Sequence, residues 1–332
     1  MDFLHKFLGI ALPPLMLIVF SITLAPFLFL KFLYFLKRSK YSENVAGKVI
    51  LITGASSGIG EYVAYEYARR RACLALIARR EDRLQEIANR ARQLGSPEVI
   101  VVPADVSKVE DCKHFVDETV NHFGQLDHLV NNAGITRFEL FEDSVQFSDF
   151  ASIMDINFWG SIYSTHNAIP HLKKRKGKIV VLASTAAWLA MPRLGFYNAS
   201  KAAIISFFET LKIELRSHIG ITIVTPGLIK SEMSTKLSKA KAAWTLAKST
   251  EGCAKAIVAS ACRGDLYLTE PSWMKVMFWM KIMCPEVLEW YFHSSTLQLH
   301  EYANREACLA LIARRENHLR EVSLKAYKLS SP

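Results

Sequence analysis

Thr53-Gly54-Ala55-Ser56-Ser57-Gly58-Ile59-Gly60 closes an apolar run at 48–53 and leads into a helical pattern opening near Glu61. Its glycines, spaced G-x-x-x-G-x-G, let the backbone turn sharply and come close to a ligand, which a Cβ would obstruct. A helix that opens directly after such a turn aims unpaired N–H groups and its positive dipole end at whatever sits there, so a pyrophosphate is the natural occupant. A glycine-rich turn alone is a weak signal. Between a strand and a helix it reads as a dinucleotide site. Gly54, Ser56, Ser57, Gly58, Ile59 and Gly60 are therefore expected to hold a nucleotide cofactor.

Outward from this turn, apolar runs at 73–78, 99–103, 126–131, 178–183 and 221–225 alternate with charged helical patterns such as 81–94 and 109–123. Residues 266–268 offer a seventh short strand. Strands alternating with helices imply βαβ units, hence an α/β fold: a Rossmann-type, doubly wound parallel sheet of about seven strands. The end of the second strand selects the cofactor. A site for NAD places an Asp or Glu there to bond the ribose 2′-OH, whereas a 2′-phosphate calls for Arg. This chain has Ala78-Arg79-Arg80, with no carboxylate until Glu81. The planar fork of Arg79 matches phosphate, so the expected cofactor is NADP(H).

With 332 residues and 51% hydrophobic content, the chain can bury the core of one large domain without staples. The balance of 41 basic against 31 acidic residues favours an anionic partner, namely nucleic acid, a phospholipid surface or a phosphorylated cofactor. CxxC pairs, zinc-finger spacing and basic recognition runs are missing, which argues against nucleic acid and against a metal site. The six scattered cysteines read as reduced thiols of a cytosol-facing protein. Residues 7–30 carry no charge, long enough to cross a bilayer and too long for a cleaved signal peptide. Pro13, Pro14 and Pro26 leave two geometries open, a kinked single span or a hairpin suited to the monolayer of a lipid droplet. Lys31, Lys37, Arg38, Lys40 and Lys48 follow the segment, so the positive-inside tendency keeps the domain cytosolic. The one N-x-S/T sequon, Asn198-Ala199-Ser200, agrees weakly with that placement.

Further motifs follow in a fixed order: NNAG at 131–134, Asn157, Ser184 and YNASK at 197–201. Together with TGASSGIG they resemble the short-chain dehydrogenase/reductase family over roughly residues 45–290. The flanking PADVS at 103–107, NFWG at 157–160, PRLGFYNASK at 192–201 and YLTEPSW at 267–273 are similar to the plant steroleosins. Those are oil-body hydroxysteroid dehydrogenases related to 11-beta-hydroxysteroid dehydrogenase. The resemblance implies that Tyr197 is the general acid/base, that Lys201 favours its phenolate, that Ser184 bonds the substrate oxygen, and that Asn157 holds a water relaying protons to Lys201. It also implies that Asp105 and Val106 meet the adenine, and that Asn131, Ala133 and Gly134 line the adenosine ribose. Tyr197 and Lys201 touch the cofactor as well, with Pro226, Gly227, Ile229 and Ser231 on the nicotinamide side. The family often has Thr where Ser231 stands, and some relatives carry Lys or Arg in place of Ser57.

Three segments result: an anchor at 1–40, the dehydrogenase domain at 45–290, and an appendage at 291–332. The appendage repeats part of 66–88, because EYARRRACLALIARREDRLQEIA at 66–88 returns as EYANREACLALIARRENHLREVS at 301–323. The copy lacks a preceding strand and a glycine-rich turn, so it is expected to be irregular or helical and to form no second nucleotide site. Trp188, Met191, Trp273, Met277 and Phe278 would rim a pocket for a flat apolar alcohol such as a sterol, or dock the rim on a membrane. The expected function is hydride transfer to or from a sterol-like hydroxyl or ketone at a lipid-droplet or endoplasmic reticulum surface. Two alternatives stay open: a lipid-droplet coat or lipid-binding protein on the same fold, and a reductase of another lipid carbonyl. A homodimer is also left open.

Overall fold

A computed structural model describes residues 2–39, 42–143, 147–235 and 247–294. Helix α1 (Asp2–Ser39) is continuous through Pro13, Pro14 and Pro26, with no reversal of the chain within it. Its stretch Ile10–Leu30 has a mean hydropathy of 2.1 and is not buried in the protein. Those 21 residues rise about 31 Å, close to the thickness of a bilayer's hydrocarbon core. The 301–323 repeat lies outside the described residues.

After α1 the elements run β1 (Val49–Thr53), α2 (Gly58–Arg69), β2 (Cys73–Ala78), α3 (Glu81–Gln93), β3 (Val99–Pro103), α4 (Val109–Phe123), β4 (His128–Asn131) and α5 (Phe147–Met154). Next come a π turn (Asp155–Trp159), α6 (Gly160–Arg175), β5 (Lys178–Leu182), α7 (Gly195–Glu214), β6 (Gly220–Pro226), β7 (Ile229–Lys230) and α8 (Glu232–Thr235). Finally β8 (Lys248–Ser249), α9 (Thr250–Arg263), β9 (Tyr267–Glu270) and α10 (Lys275–Met283) follow, and residues 285–294 are helical. Seven parallel strands form one sheet in the order β3-β2-β1-β4-β5-β6-β9, so the expected seventh strand is present.

The strands are near-continuous apolar runs because both sheet faces are covered. Ile50, Ile52, Leu74 and Leu76 point to one face, where Val63, Tyr67, Leu84 and Ile257 of α2, α3 and α9 meet them. Leu51, Ala75 and Ile77 alternate to the other, against Phe115, Leu172 and Phe208 of α4, α6 and α7. On α3 the inward set Leu84, Ile87, Ala88 and Ala91 has the i, i+3, i+4, i+7 spacing of an amphipathic helix. β1 is bonded to β2 on one side and β4 on the other, so the winding reverses beside it. A crevice opens at the carboxyl ends of strands where such a reversal occurs, and the glycine-rich turn sits there.

The amino-terminal ends of the central strands hold a polar knot. Glu43, between α1 and β1, pairs with Lys48 and Lys178, and His128 Nε2 lies 3.4 Å from its carboxylate. Tyr67 Oη is 3.0 Å from His128 Nδ1. Burial pushes Tyr67 well above the ordinary phenol range and drives the imidazole of His128 neutral, aided by the charges of Lys178 and Lys48. Tyr67 therefore donates to Nδ1, and His128 donates from Nε2 to Glu43. Burial of Glu43 opposes ionisation, but its bonds with His128, Lys178 and Lys48 outweigh it and hold the carboxyl below its usual range.

Candidate active site

The glycine-rich turn is held by contacts that leave no room for side chains. A Cβ on Gly54 would lie 2.7 Å from Ala133 Cα, and one on Gly60 would lie 2.4 Å from both the Gly54 carbonyl oxygen and Asn132 Nδ2. Gly54 and Gly58 also have φ of +65° and +60°, which L side chains rarely adopt. Asn132 ties the turn to the end of β4: its Nδ2 donates to the carbonyls of Thr53 and Gly54 at 3.0 Å each. Thr53 Oγ1 in return accepts from the backbone N–H groups of Asn132 and Ala133, at 3.1 and 3.2 Å. Helix α2 starts at Gly58, three residues before the expected Glu61, with Ser57 as an extended N-cap that makes no capping side-chain bond. The first-turn N–H groups are thus left for a ligand, which fits the pyrophosphate of a dinucleotide.

Beyond β2, the Arg79 charge helps hold Asp105 below its usual value. Burial acts against that shift, and the hydrogen bonds from the Ser107 N–H and hydroxyl are larger contributions than Arg79. Val106 is buried against Gly160, where a Cβ would come within 2.9 Å of it. Asn131 donates from Nδ2 to Thr165 Oγ1 at 2.8 Å, and its Oδ1 is buried without a hydrogen-bond partner.

Ser184 follows β5 in extended backbone and starts a short 3₁₀ turn, accepting from Ala186 N–H at 3.1 Å. Its hydroxyl donates to the Pro226 carbonyl at 3.3 Å. Tyr197 and Lys201 lie one turn apart on α7. Burial pushes the Tyr197 phenol up from its ordinary value, and a hydrogen bond with Ser184 works in the opposite direction. Lys201 is buried, its Nζ 5.8 Å from the centre of the Tyr197 ring and donating to the Leu182 carbonyl at 2.8 Å. Desolvation lowers it to about 8. Burial is the largest influence on the Tyr197 phenol, and it acts against the lowering expected from Lys201 and a bound nicotinamide.

Asn157 lies in the π turn, fully buried. Its Oδ1 accepts from Ile135 N–H at 2.8 Å, and its Nδ2 donates to the Ile135 carbonyl and Ser200 Oγ at 3.0 Å each. Where the resemblance implies a water-holding role, the side chain has three protein partners. A Cβ on Gly134 would meet Asn157 Oδ1 at 3.2 Å and Lys201 Nζ at 3.5 Å, so Gly134 packs between the two. Gly227 N–H donates to the Glu270 carbonyl at 2.7 Å, and Met274 covers Gly227 closely enough that a Cβ there would meet its Cγ at 3.0 Å. Ile229 is buried, and Ser231 faces Gly58 across the cleft.

A family model described as short chain dehydrogenase matches residues 48–242, more than half of the chain. The chain belongs to the short-chain dehydrogenase family. It is 50% identical over 305 residues to 11-beta-hydroxysteroid dehydrogenase A of Sesamum indicum, covering 88% of each protein. It is 53% identical over 293 residues to 11-beta-hydroxysteroid dehydrogenase-like 4A of Arabidopsis thaliana, covering 87% of this chain and 98% of that one. Among solved structures, an alcohol dehydrogenase of Thermococcus sibiricus complexed with 5-hydroxy-NADP has a TM-score of 0.61 at 29% identity, over 67% of this chain and 94% of that one. A short chain dehydrogenase/reductase of Burkholderia phymatum in complex with NAD has a TM-score of 0.66 at 24% identity, over 74% and 96%, a likeness of fold.

In this short-chain dehydrogenase Ser184 lies beside Tyr197, Lys201 stands near the Tyr197 ring, and Gly134 sits between Lys201 and Asn157. Sequence reasoning missed Thr53, Asn132, Ser200 and Arg80. Asn132 stands inside the quoted NNAG motif, so its signal was present. Arg80 adjoins Arg79, and its Nη2 donates to Ser56 Oγ at 3.1 Å. Leu189 and Met274 are buried together with Leu288, and of the residues expected at the rim Trp188, Met191 and Met277 pack against them. Trp188 meets Phe278 edge-on at 5.4 Å, while Trp279 is largely exposed.

Proposed function

We propose that this short-chain dehydrogenase is an NADP(H)-dependent oxidoreductase acting on a sterol-like secondary alcohol or ketone, with α1 in a membrane or lipid-droplet surface and the domain on the cytosolic side. The observation that carries the catalytic reading is the convergence of Ser184, Tyr197 and Lys201 on one point of the crevice. The glycine cradle and the uncapped start of α2 support a dinucleotide, and the arginine pair after β2, with no carboxylate before Glu81, supports a 2′-phosphate. When bound, that cofactor would give or take the hydride. Tyr197 Oη would deliver a proton to the carbonyl oxygen in reduction, or take it from the alcohol in oxidation. Ser184 would hold the same oxygen, and Lys201, cationic at neutral pH, would refill the phenol through its own proton. Asn157 would set the Ile135 backbone and Ser200 around this site.

The relatives named as 11-beta-hydroxysteroid dehydrogenases and the Met- and Trp-rich rim support a flat apolar substrate. The uncharged exposed face of α1 and the basic residues that follow it in sequence support the anchor and its orientation. NADPH oxidation by the detergent-solubilised full chain, tested on a panel of sterol ketones, decides the reading. Tyr197→Phe should lower kcat on the order of 10²–10⁴-fold. Equal rates in the wild type and the Phe variant would remove the catalytic assignment, and a preference for NADH would remove the cofactor assignment.

A further inference from the structure

Arg79 and Arg80, at the end of β2, serve different neighbours. Arg79 is felt by Asp105, after β3. Arg80 turns onto the glycine-rich turn: Nε lies 3.3 Å from Ser56 Oγ, and Nη2 lies 3.1 Å from that hydroxyl and 3.3 Å from the Ser56 carbonyl oxygen. The same Nη2 stands 3.9 Å from Glu232 Oε2, at the start of α8. Glu232 follows Ser231, whose Cβ would lie 3.7 Å from a Cβ on Gly58. The chain after β7 thus rests on the glycine-rich turn at two points, Ser231 over Gly58 and Glu232 on the guanidinium that also grips Ser56. Ser234 stiffens this segment: its hydroxyl donates to the Ile229 carbonyl at 2.6 Å and accepts from Ser231 N–H at 2.8 Å.

A guanidinium has five N–H donors in a planar fork and pairs best with an oxyanion that can accept two of them at once. Glu232 offers a single contact at the outer limit of ion pairing, with both side chains about half exposed or more. Such a pair is weak and readily exchanged. A dianionic phosphate on the neighbouring ribose offers three oxygens and more charge.

Resting on the NADP(H) reading above, we propose that Arg80 is a second specificity determinant for the 2′-phosphate and that Glu232 is its built-in competitor. A 2′-phosphate takes the Arg80 fork from Glu232 and loosens the segment that rests on the glycine-rich turn. A cofactor without that phosphate leaves the Arg80–Glu232 contact in place. Discrimination between the two cofactors is then set by Glu232 as well as by the arginines, because selectivity is a difference of two affinities.

Calorimetric titration of the detergent-solubilised full chain with 2′,5′-ADP and with 5′-ADP tests this. Both probes lack the nicotinamide, which removes the Ser231 end of the site from the comparison. The readout is the ratio of their dissociation constants. Arg80→Ala should reduce the preference for 2′,5′-ADP about tenfold, and Arg80→Lys should restore only part of it. Glu232→Gln should increase the preference about threefold, and that gain should vanish in the Arg80→Ala background. An unchanged preference in Glu232→Gln, or a gain that persists without Arg80, would overturn the proposal. Failure of the underlying reading looks different: the wild type would bind 5′-ADP as tightly as 2′,5′-ADP.

Discussion

Replacing Glu43 by Gln keeps the shape of the side chain and removes one negative charge from the knot at the amino-terminal ends of the strands. The carboxylate side chain is 13% exposed, Lys178 is 17% exposed and Lys48 is 32% exposed. Breaking a buried ion pair from one side costs about 3–5 kcal/mol, because the remaining charge stays uncompensated. Here the full figure does not apply. Lys178 keeps the carbonyls of Ala261 and Cys262 at 2.7 and 3.2 Å, and Lys48 can turn to solvent. His128 retains Tyr67, and Gln can still accept its N–H. A loss of about 2–3 kcal/mol remains, which for a domain of this size lowers the midpoint of thermal unfolding by roughly 4–12 °C. Tryptophan fluorescence of the full chain in detergent, at a fixed heating rate, measures it. The pH dependence has a definite sign. The folded carboxyl is held below its unfolded value of 4.5, so its contribution is complete above that value and fades as the pH falls beneath it. The gap between wild type and Glu43→Gln should be constant from neutral pH to about pH 5 and close at lower pH. A midpoint shift under 2 °C at pH 7, or a gap indifferent to acid, would refute the reasoning.

Gly60→Ala should abolish detectable dinucleotide binding, since the added methyl would sit 2.4 Å from the Gly54 carbonyl oxygen; equilibrium titration checks it. Because desolvation lowers Lys201 to about 8, kcat/KM for ketone reduction should hold through neutral pH and fall above about pH 8 as the ammonium is lost. A profile flat to pH 9.5 would contradict that role. Asn157→Ala leaves the Ile135 backbone N–H and carbonyl without their partners and should cost about 2–3 kcal/mol of stability as well as activity, read by thermal unfolding beside turnover.

The sheet was readable from the chain because each strand is a short apolar run bounded by a turn or a charged helix, and the order of the runs dictates the winding. The proposed catalytic residues were readable for another reason, since the family motifs that carry them stand in a fixed order. What escaped were groups whose work is contact across distant segments. Asn132 binds a turn 78 residues upstream, and Ser200 is joined to Asn157 across 43 residues. NNAG marks Asn132 in the sequence, but no local pattern names its distant partner or that of Ser200. The phenol of Tyr197 shows the same limit: a lysine one turn away is visible in YNASK, whereas the burial that raises the phenol exists only in the folded chain.

The π turn at Asp155–Trp159 carries one residue more than a regular turn, wedged between α5 and α6. Each α-helical residue advances about 100° around the axis, so deleting Phe158 or Trp159 would let the helix run on smoothly and swing Asn157 by about that angle. The carboxamide would leave Ile135 and Ser200 while every side chain of α6 could keep its place. At this point in the chain a loss of length is more damaging than most changes of identity. A helix made more regular would here be a helix deprived of its purpose.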